Sequence, residues 1–415
     1  MACCCCQGVL CSGATGANII ALAAARDTVL GAAGWDVEAD GLVGAPPIKI
    51  YAGAEAHSSV FKALGVVGLG RRGNGKHVIR LAANPQGAVE ASAFSGLPPP
   101  AAPAIVVLQA GHVNTGAFDD FVAAVAWARS GAGGGAGIWV HVDGAFGLWA
   151  AASGDPARRA LVAGAGGADS WATDLHKMLN VPYESALVAV MNGQALHRSM
   201  ACAAPYVAAP TATASGRTTA SAGPNTIDTG SDTETGISAR SEPTNRLGGA
   251  APQQQQQRQR QHNRQYHHHA TQPLLPELQN SRRARGVAAW AALQQLGTAG
   301  VAALVDGCCD HAAALAGFLE RGGATLLHTV VFNQALVHFS GDDARTAAVA
   351  AAAQLDGRCW VAATKYKGRS VIRLSVSCWA TTSNDVEVAA RAILECAASL
   401  GDTTPLYSTA HGHGS

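Results

Sequence analysis

Residues 168–183 read ADSWATDLHKMLNVPY and bring Ser170, Thr173, Asp174, His176 and Lys177 close together. A lysine amine attacks carbonyl carbon as the free base, and apolar surroundings disfavour the ammonium form. Trp171, Met178, Leu179 and Val181 offer such surroundings in the sequence, which makes Lys177 a candidate Schiff-base lysine rather than the usual solvated surface charge. Upstream, Ile138-Trp-Val-His-Val142 reads as a strand and ends on Asp143, then Gly144, Ala145, Phe146 and Gly147. A carboxylate at the carboxyl end of a strand suits a site that needs one fixed negative charge, although a loop Asp can simply cap the next helix. Near the start, Ser12-Gly13-Ala14-Thr15-Gly16 leads into an apolar helical stretch. The N–H groups of such a helix start, with the Thr15 hydroxyl, can bind a phosphate, as can many plain loop-to-helix junctions. His57 stands where a helix opens, with Ser58 or Ser59 as its cap.

The elements that must hold these residues follow from periodicity. Ile48–Tyr51, Ile105–Leu108, Ile138–Val142 and Ala186–Met191 are apolar runs of strand length, as in a buried parallel sheet. Helical stretches are expected from about Ala17 and from Phe118 to Arg129. Beyond residue 281, Val287, Ala288, Leu293 and Leu296 recur with helical spacing, and a second helix covers roughly Val301–Arg321. Val330–Phe339, a helix near Ala344–Leu355 and Val371–Ser377 suggest a smaller α+β domain. Residues 207–273 are Ala/Thr/Ser/Gly/Pro-rich, then Gln-rich and basic, with a run His267–His269. Such a composition cannot support a core and predicts a disordered insertion.

Taken in this order, the segments resemble the group II pyridoxal-5'-phosphate (PLP) decarboxylases, the family of the glutamate, aromatic-amino-acid and tyrosine decarboxylases. The most specific likenesses are His141–Gly147, against the family's H-V-D-A-A pattern, and residues 168–183. SRRARG, FNQALVHF and IRLSVSCWATT extend the likeness through the C-terminal region. The resemblance implies an α/β chain of PLP fold type I: a large domain with a mostly parallel sheet, and a small C-terminal α+β domain. It implies PLP as cofactor, held as a Schiff base on Lys177. His57 would stack on the pyridine ring and Ala145 would support its other face. Asp143 would keep the ring nitrogen protonated. Gly13, Ala14 and Thr15 would grip the phosphate, helped by His176 or Asp174. Asn114 or Thr115 would contact the cofactor's phenolic oxygen or the substrate, with Thr115 taken as the candidate. Arg373 would meet the substrate carboxylate. The implied reaction is loss of CO2 from an L-amino acid to give an amine, in a homodimer, with oxidative deamination, transamination and a weakened remnant as alternatives. Family members carry a helical segment ahead of the phosphate turn that is absent from this sequence, which suggests a truncated large domain.

The expected division is therefore 1–206 for the large domain, 207–273 for the insertion, 274–320 for linking helices and 321–415 for the small domain. Composition narrows the partners. Among 415 residues, charged side chains make up 14% with a net charge of +1, so no polyanion and no membrane surface is implied. No apolar run reaches the roughly 20 residues that span a bilayer. Residues 1–10 lack a basic signal-peptide start, which points to a cytoplasmic protein. Of 11 cysteines, only Cys3 and Cys6 form a CxxC, so no metal site is expected. A metal- or nucleic-acid-binding protein acting through the His, Cys and basic tracts is the rival from another class.

Overall fold

The computed structural model describes residues 6–72, 77–131, 135–200, 278, 282–339 and 343–401. They belong to one compact unit assembled from two stretches of chain, 1–201 and 276–415. The expected insertion at 207–273, and the His and Gln tracts within it, lie outside the described residues.

Seven strands form the larger sheet: β1 (Gln7–Cys11), β2 (Lys49–Gly53), β3 (Val78–Leu81), β4 (Ala104–Gln109), β5 (Ile138–Asp143), β6 (Ser170–Asp174) and β7 (Ala186–Val190), in the order β1-β7-β6-β5-β4-β2-β3. Neighbours from β3 through β6 pair in parallel, while β7 near one edge pairs antiparallel with both β6 and the edge strand β1. Every residue of β4 and β5 is buried, as their unbroken apolar runs require for strands covered on both faces. One face is covered by the helix Ala14–Ala32, whose Ile20, Leu22 and Leu30 pack with Ile50, Ile105 and Val107. The other carries the helix Phe121–Arg129, whose Phe121 and Trp127 join Val106, Leu108 and Val140.

The smaller sheet is antiparallel, with order β10-β11-β9-β8 for β8 (Ala324–Leu326), β9 (Gln334–Phe339), β10 (Ala362–Tyr366) and β11 (Arg369–Ser375). The helices Asp343–Asp356 and Ser383–Ser399 share one core with it, through Val337, Ile372, Leu374, Val349 and Ile393. A capping box between Thr382 and Asp385 starts the second of these. The long helix Arg285–Arg321 joins the two parts and breaks at Gly297, where φ is 59°. That break divides it much as the two expected helices were divided. By length and mean hydropathy it could cross a bilayer. Val305, Cys308, Cys309, Leu315 and Leu319 of this helix are nevertheless buried within the protein.

Some expectations shift. The helix read from Phe118 begins at Phe121, because Phe118 bridges back to Ala110 and the Asp120 side chain accepts the Ala123 N–H as a cap. The strand read from Val330 begins at Gln334. β1, β3, β6, β8 and β10 were not foreseen as strands. β6 alternates buried and half-buried residues, with Ser, Thr and Asp among them, so it lacks a continuous apolar run.

Candidate active site

Strands β4, β5 and β6 end side by side, and their carboxyl ends carry the candidate residues. A cleft there is lined by His57, Gln109, Gly111, Val113, Asp143, Ala145, Phe146 and Lys177. Three residues expected from separate stretches of sequence, His57, Asp143 and Lys177, thus meet in one place.

Asp143 is the last residue of β5 and 3% exposed. Its Oδ2 accepts from Asn18 Nδ2 at 2.9 Å and lies 3.4 Å from the Ser59 hydroxyl. Oδ1 has no hydrogen-bond partner among the described residues, and Asp143 lines the cleft. Behind Asn18 runs a fully buried chain of donors. Trp139 Nε1 donates to Ser170 Oγ at 2.8 Å, and Ser170 Oγ lies 2.8 Å from His141 Nδ1. His141 Nε2 is 3.0 Å from Asn18 Oδ1. Indole and carboxylate fix the polarity from the two ends: the indole can only donate and the carboxylate can only accept. Each intermediate group therefore donates toward Asp143. Burial pushes the His141 imidazole down to about 3, so it stays neutral, as this ordering needs. Burial raises the Asp143 carboxyl, opposed by the Asn18 bond and by the nearby His57 and Lys177. A cation placed at Oδ1 would reverse that effect.

His57 precedes the helix Ser58–Val66 and caps it itself, Nδ1 accepting the Ser59 N–H at 3.2 Å. The cap expected of Ser58 or Ser59 therefore falls to the imidazole. The His57 N–H donates to Gln109 Oε1 at 3.0 Å. Ala145 is tied to the end of β6, its carbonyl accepting the Asp174 N–H at 2.9 Å. The following turn presses close to β4. A Cβ on Gly147 would stand 2.3 Å from the Ala110 carbonyl oxygen, so only glycine allows the approach.

Lys177 follows β6 in a turn, and its Nζ lies 2.9 Å from Asp174 Oδ2. This corrects the expected environment. The side chain is 39% exposed and faces a carboxylate, while Met178, Leu179 and Val181 turn away into separate cores. Asn180 fixes the turn. Its Nδ2 donates to the Lys177, Met178 and Ser377 carbonyls, and its Oδ1 accepts the Trp379 N–H.

At the helix start, Ala14 N donates to Asp174 Oδ1 at 2.6 Å. Asp174 is thus committed to Ala14 and Lys177, its two oxygens already engaged by donors, whereas a phosphate needs donors of its own. The expectation that Asp174 helps bind the phosphate is corrected accordingly, as is that for Ala14, whose N–H this bond occupies. The remaining donors are Thr15, in the first turn where N–H groups lack intrahelical partners, and His176. His176 Nδ1 accepts the Ser185 N–H at 3.1 Å, which leaves Nε2 to carry the proton on the side of Asp174 and Gly13.

Three candidates stand apart. The Thr115 hydroxyl donates to the Gln86 carbonyl at 2.6 Å and is buried, so it does not reach the cleft; Gly111 and Val113 line it instead. Asn114 does not line the cleft either. Arg373 is half-buried on β11 and cross-strand from Leu336, outside the immediate lining. Residues that sequence reasoning missed are Asn18, Gln109, Asp119 and Asn180. Asp119 is buried and accepts from the Val89 and Gln109 N–H groups. Among the described residues no group of three or more potential ligands could hold a metal ion.

The donor set fits PLP: a buried carboxylate open to a cation, a slot between His57 and Ala145, an amine at its edge and a helix start beyond. The comparisons agree. The pattern of the pyridoxal-dependent decarboxylase conserved domain matches residues 2–225. A crystal structure of Oryza sativa TDC with PLP and tryptamine is similar at a TM-score of 0.68 and 17% identity, over 95% of this chain and 71% of that one. Mouse CSAD is similar at 0.68 and 18%, over 94% and 72%. Rhodiola rosea 4-hydroxyphenylacetaldehyde synthase is similar at 0.65 and 15%, over 95% and 69%. At these identities the likeness establishes the fold, which is PLP fold type I.

Proposed function

The chain belongs to the pyridoxal-dependent decarboxylase family, and from that premise we propose that it is a carboxy-lyase that releases CO2 from an L-amino acid to give an amine, with Lys177 as the residue that carries PLP. The observation that carries this reading is the convergence of Lys177, Asp143, Ala145 and His57 on one cleft. When bound, PLP supplies a ring that takes up the electron pair left by the departing carboxylate. Asp143 Oδ1 would hold a proton on the ring nitrogen, and Asn18 keeps that carboxylate oriented. His57 and Ala145 would hold the ring flat between them. Thr15 and His176 would receive the phosphate. Asp174 draws Lys177 toward the same end of the cleft. Arg373, on the small sheet, is the proposed partner of the substrate carboxylate, for which a guanidinium fork is suited.

The same reading takes the protein to be a cytoplasmic homodimer. Val287, Trp290 and Leu293 support the dimer: they form an exposed apolar row on the helix Arg285–Arg321, and Trp290 is 64% exposed. Light scattering across a range of concentrations tests it, and a monomer throughout would overturn it.

The decisive experiment for the cofactor is borohydride reduction of the PLP-loaded protein followed by peptide mapping. The reduced cofactor is expected on Lys177 and absent from Lys177→Ala; finding it on Lys365 or Lys367 would sink the assignment. Cofactor residues do not by themselves set the reaction type, so CO2, amine and aldehyde should be measured together over aromatic and acidic amino acids. Amine and CO2 in equal yield support decarboxylation. Aldehyde as the main product would replace it with oxidative deamination.

A further inference from the structure

We propose that Gln109 is a direct ligand of the cofactor, its side-chain amide donating a hydrogen bond to the phenolic oxygen of the PLP ring. This rests on the assignment of Lys177 and Asp143 above.

The first argument is the state of the side chain. Gln109 closes β4 and is 7% exposed. Its Oε1 faces the His57 N–H at 3.0 Å, and because a backbone N–H can only donate, oxygen and nitrogen of the amide are assigned by chemistry. Nε2 then points the other way. It has no acceptor among the described residues, and it is not sealed from the cleft that Gln109 lines. An amide nitrogen held at the wall of a cleft with no protein acceptor is free to donate to a ligand or water there.

Backbone anchoring gives the second argument. The Gln109 N–H donates to Asp119 Oδ2 at 2.7 Å, and its carbonyl accepts the Asp119 N–H at 3.1 Å. With both main-chain groups and Oε1 held, Nε2 has little freedom.

Ring geometry supplies the third. PLP has its nitrogen opposite the carbon that joins the lysine, and the phenolic oxygen and phosphate arm lie on opposite flanks of that axis. Asp143 ends β5 and fixes the nitrogen. The helix start at Ala14 bonds to the end of β6, so the phosphate arm lies on the β6 side. The phenolic oxygen must then face the β4 side. Gln109 is there, directly in register with Asp143 on the neighbouring strand. Thr115, expected for this contact, is turned to Gln86.

A donor to the phenolic oxygen spreads its negative charge and weakens its hold on the proton of the neighbouring lysine-linked nitrogen. Losing the donor should therefore raise the pH at which the visible band of the bound cofactor titrates, by about one unit. The test is a spectrophotometric pH titration of the PLP-loaded parent, Gln109→Glu and Gln109→Met, with PLP affinity measured by fluorescence. Glu is isosteric and keeps an acceptor for the His57 N–H but lacks the donor; Met lacks both. An upward shift in both variants supports the proposal, with PLP affinity falling further in Met. Unchanged midpoints, or a shift in one variant alone, overturn it, because the residue would then act through His57 or through a new charge. A parent that shows no titrating visible band on Lys177 defeats the underlying cofactor assignment, and that result is recognisable before any variant is compared.

Discussion

Replacing Asn18 with Leu should cost far more stability than its size suggests. The substitution leaves Asp143 Oδ2 and His141 Nε2 without their shared partner in a fully buried setting, a loss of about 2–4 kcal/mol. Denaturant unfolding would show it, and a loss below about 1 kcal/mol would mean that the donor chain is not a stabilising unit. Asp143→Asn is the complementary change. It preserves shape, so stability should hold to within about 1 kcal/mol, while kcat falls about a hundredfold with little change in KM. Near-normal kcat would contradict the charge role. Asp119 makes a claim about pH. Burial pushes its carboxyl up to about 7, so the folded protein holds that proton more tightly than the unfolded chain. This contribution is fully present below the ordinary carboxylate range and is lost as pH rises through about 7. Between about pH 5 and about pH 8 the parent should lose stability relative to Asp119→Asn, read as diverging denaturation midpoints. Parallel midpoints would place the Asp119 proton elsewhere. Asp143 and Lys177 were legible in sequence because each sits in a local pattern. Asn18, Gln109 and Asn180 were not, since their partners lie on other elements, as when Asn180 meets Ser377.

Among the elements, the buried strands could be read directly, because a strand covered on both faces must be apolar throughout. β1, β3, β6, β8 and β10 escaped, β1 beside an uninformative cysteine run, β6 for its polar residues and the others for want of a continuous apolar run. The packing of one turn against another strand had no sequence signal at all. Gly147 is the sharpest instance. An added methyl would meet the Ala110 carbonyl oxygen at 2.3 Å and the Gly111 nitrogen at 2.7 Å, and neither backbone atom can yield cheaply. Gly147→Ala should destabilise the protein by about 2–3 kcal/mol and weaken PLP binding, since Ala145 and Phe146 move with the turn. Thermal melts with and without PLP check both effects. An unchanged melting temperature would mean that the two segments separate without penalty.

At the scale of the molecule, the cleft depends on both stretches of the chain. Asn180 ties the lysine turn to Ser377 and Trp379. Tyr366 and Lys367 bond to the Pro85 carbonyl, and Lys367 also pairs with Glu55 at 3.4 Å. Arg158 joins Asp306 at 2.9 Å. These bonds, with the shared cores, run between residues 1–201 and 276–415, the two stretches that make up the compact unit. Peptide continuity between them then acts as a tether that raises local concentration, and the surfaces themselves carry the recognition. The protein can accordingly be viewed as two chains that happen to be fused. Coexpressed as separate polypeptides, 1–201 and 276–415 should copurify through a tag on either one, and the pair should acquire the PLP absorbance that each lacks alone. Two fragments that stay apart would show that the tether, rather than the interface, is what brings the halves together.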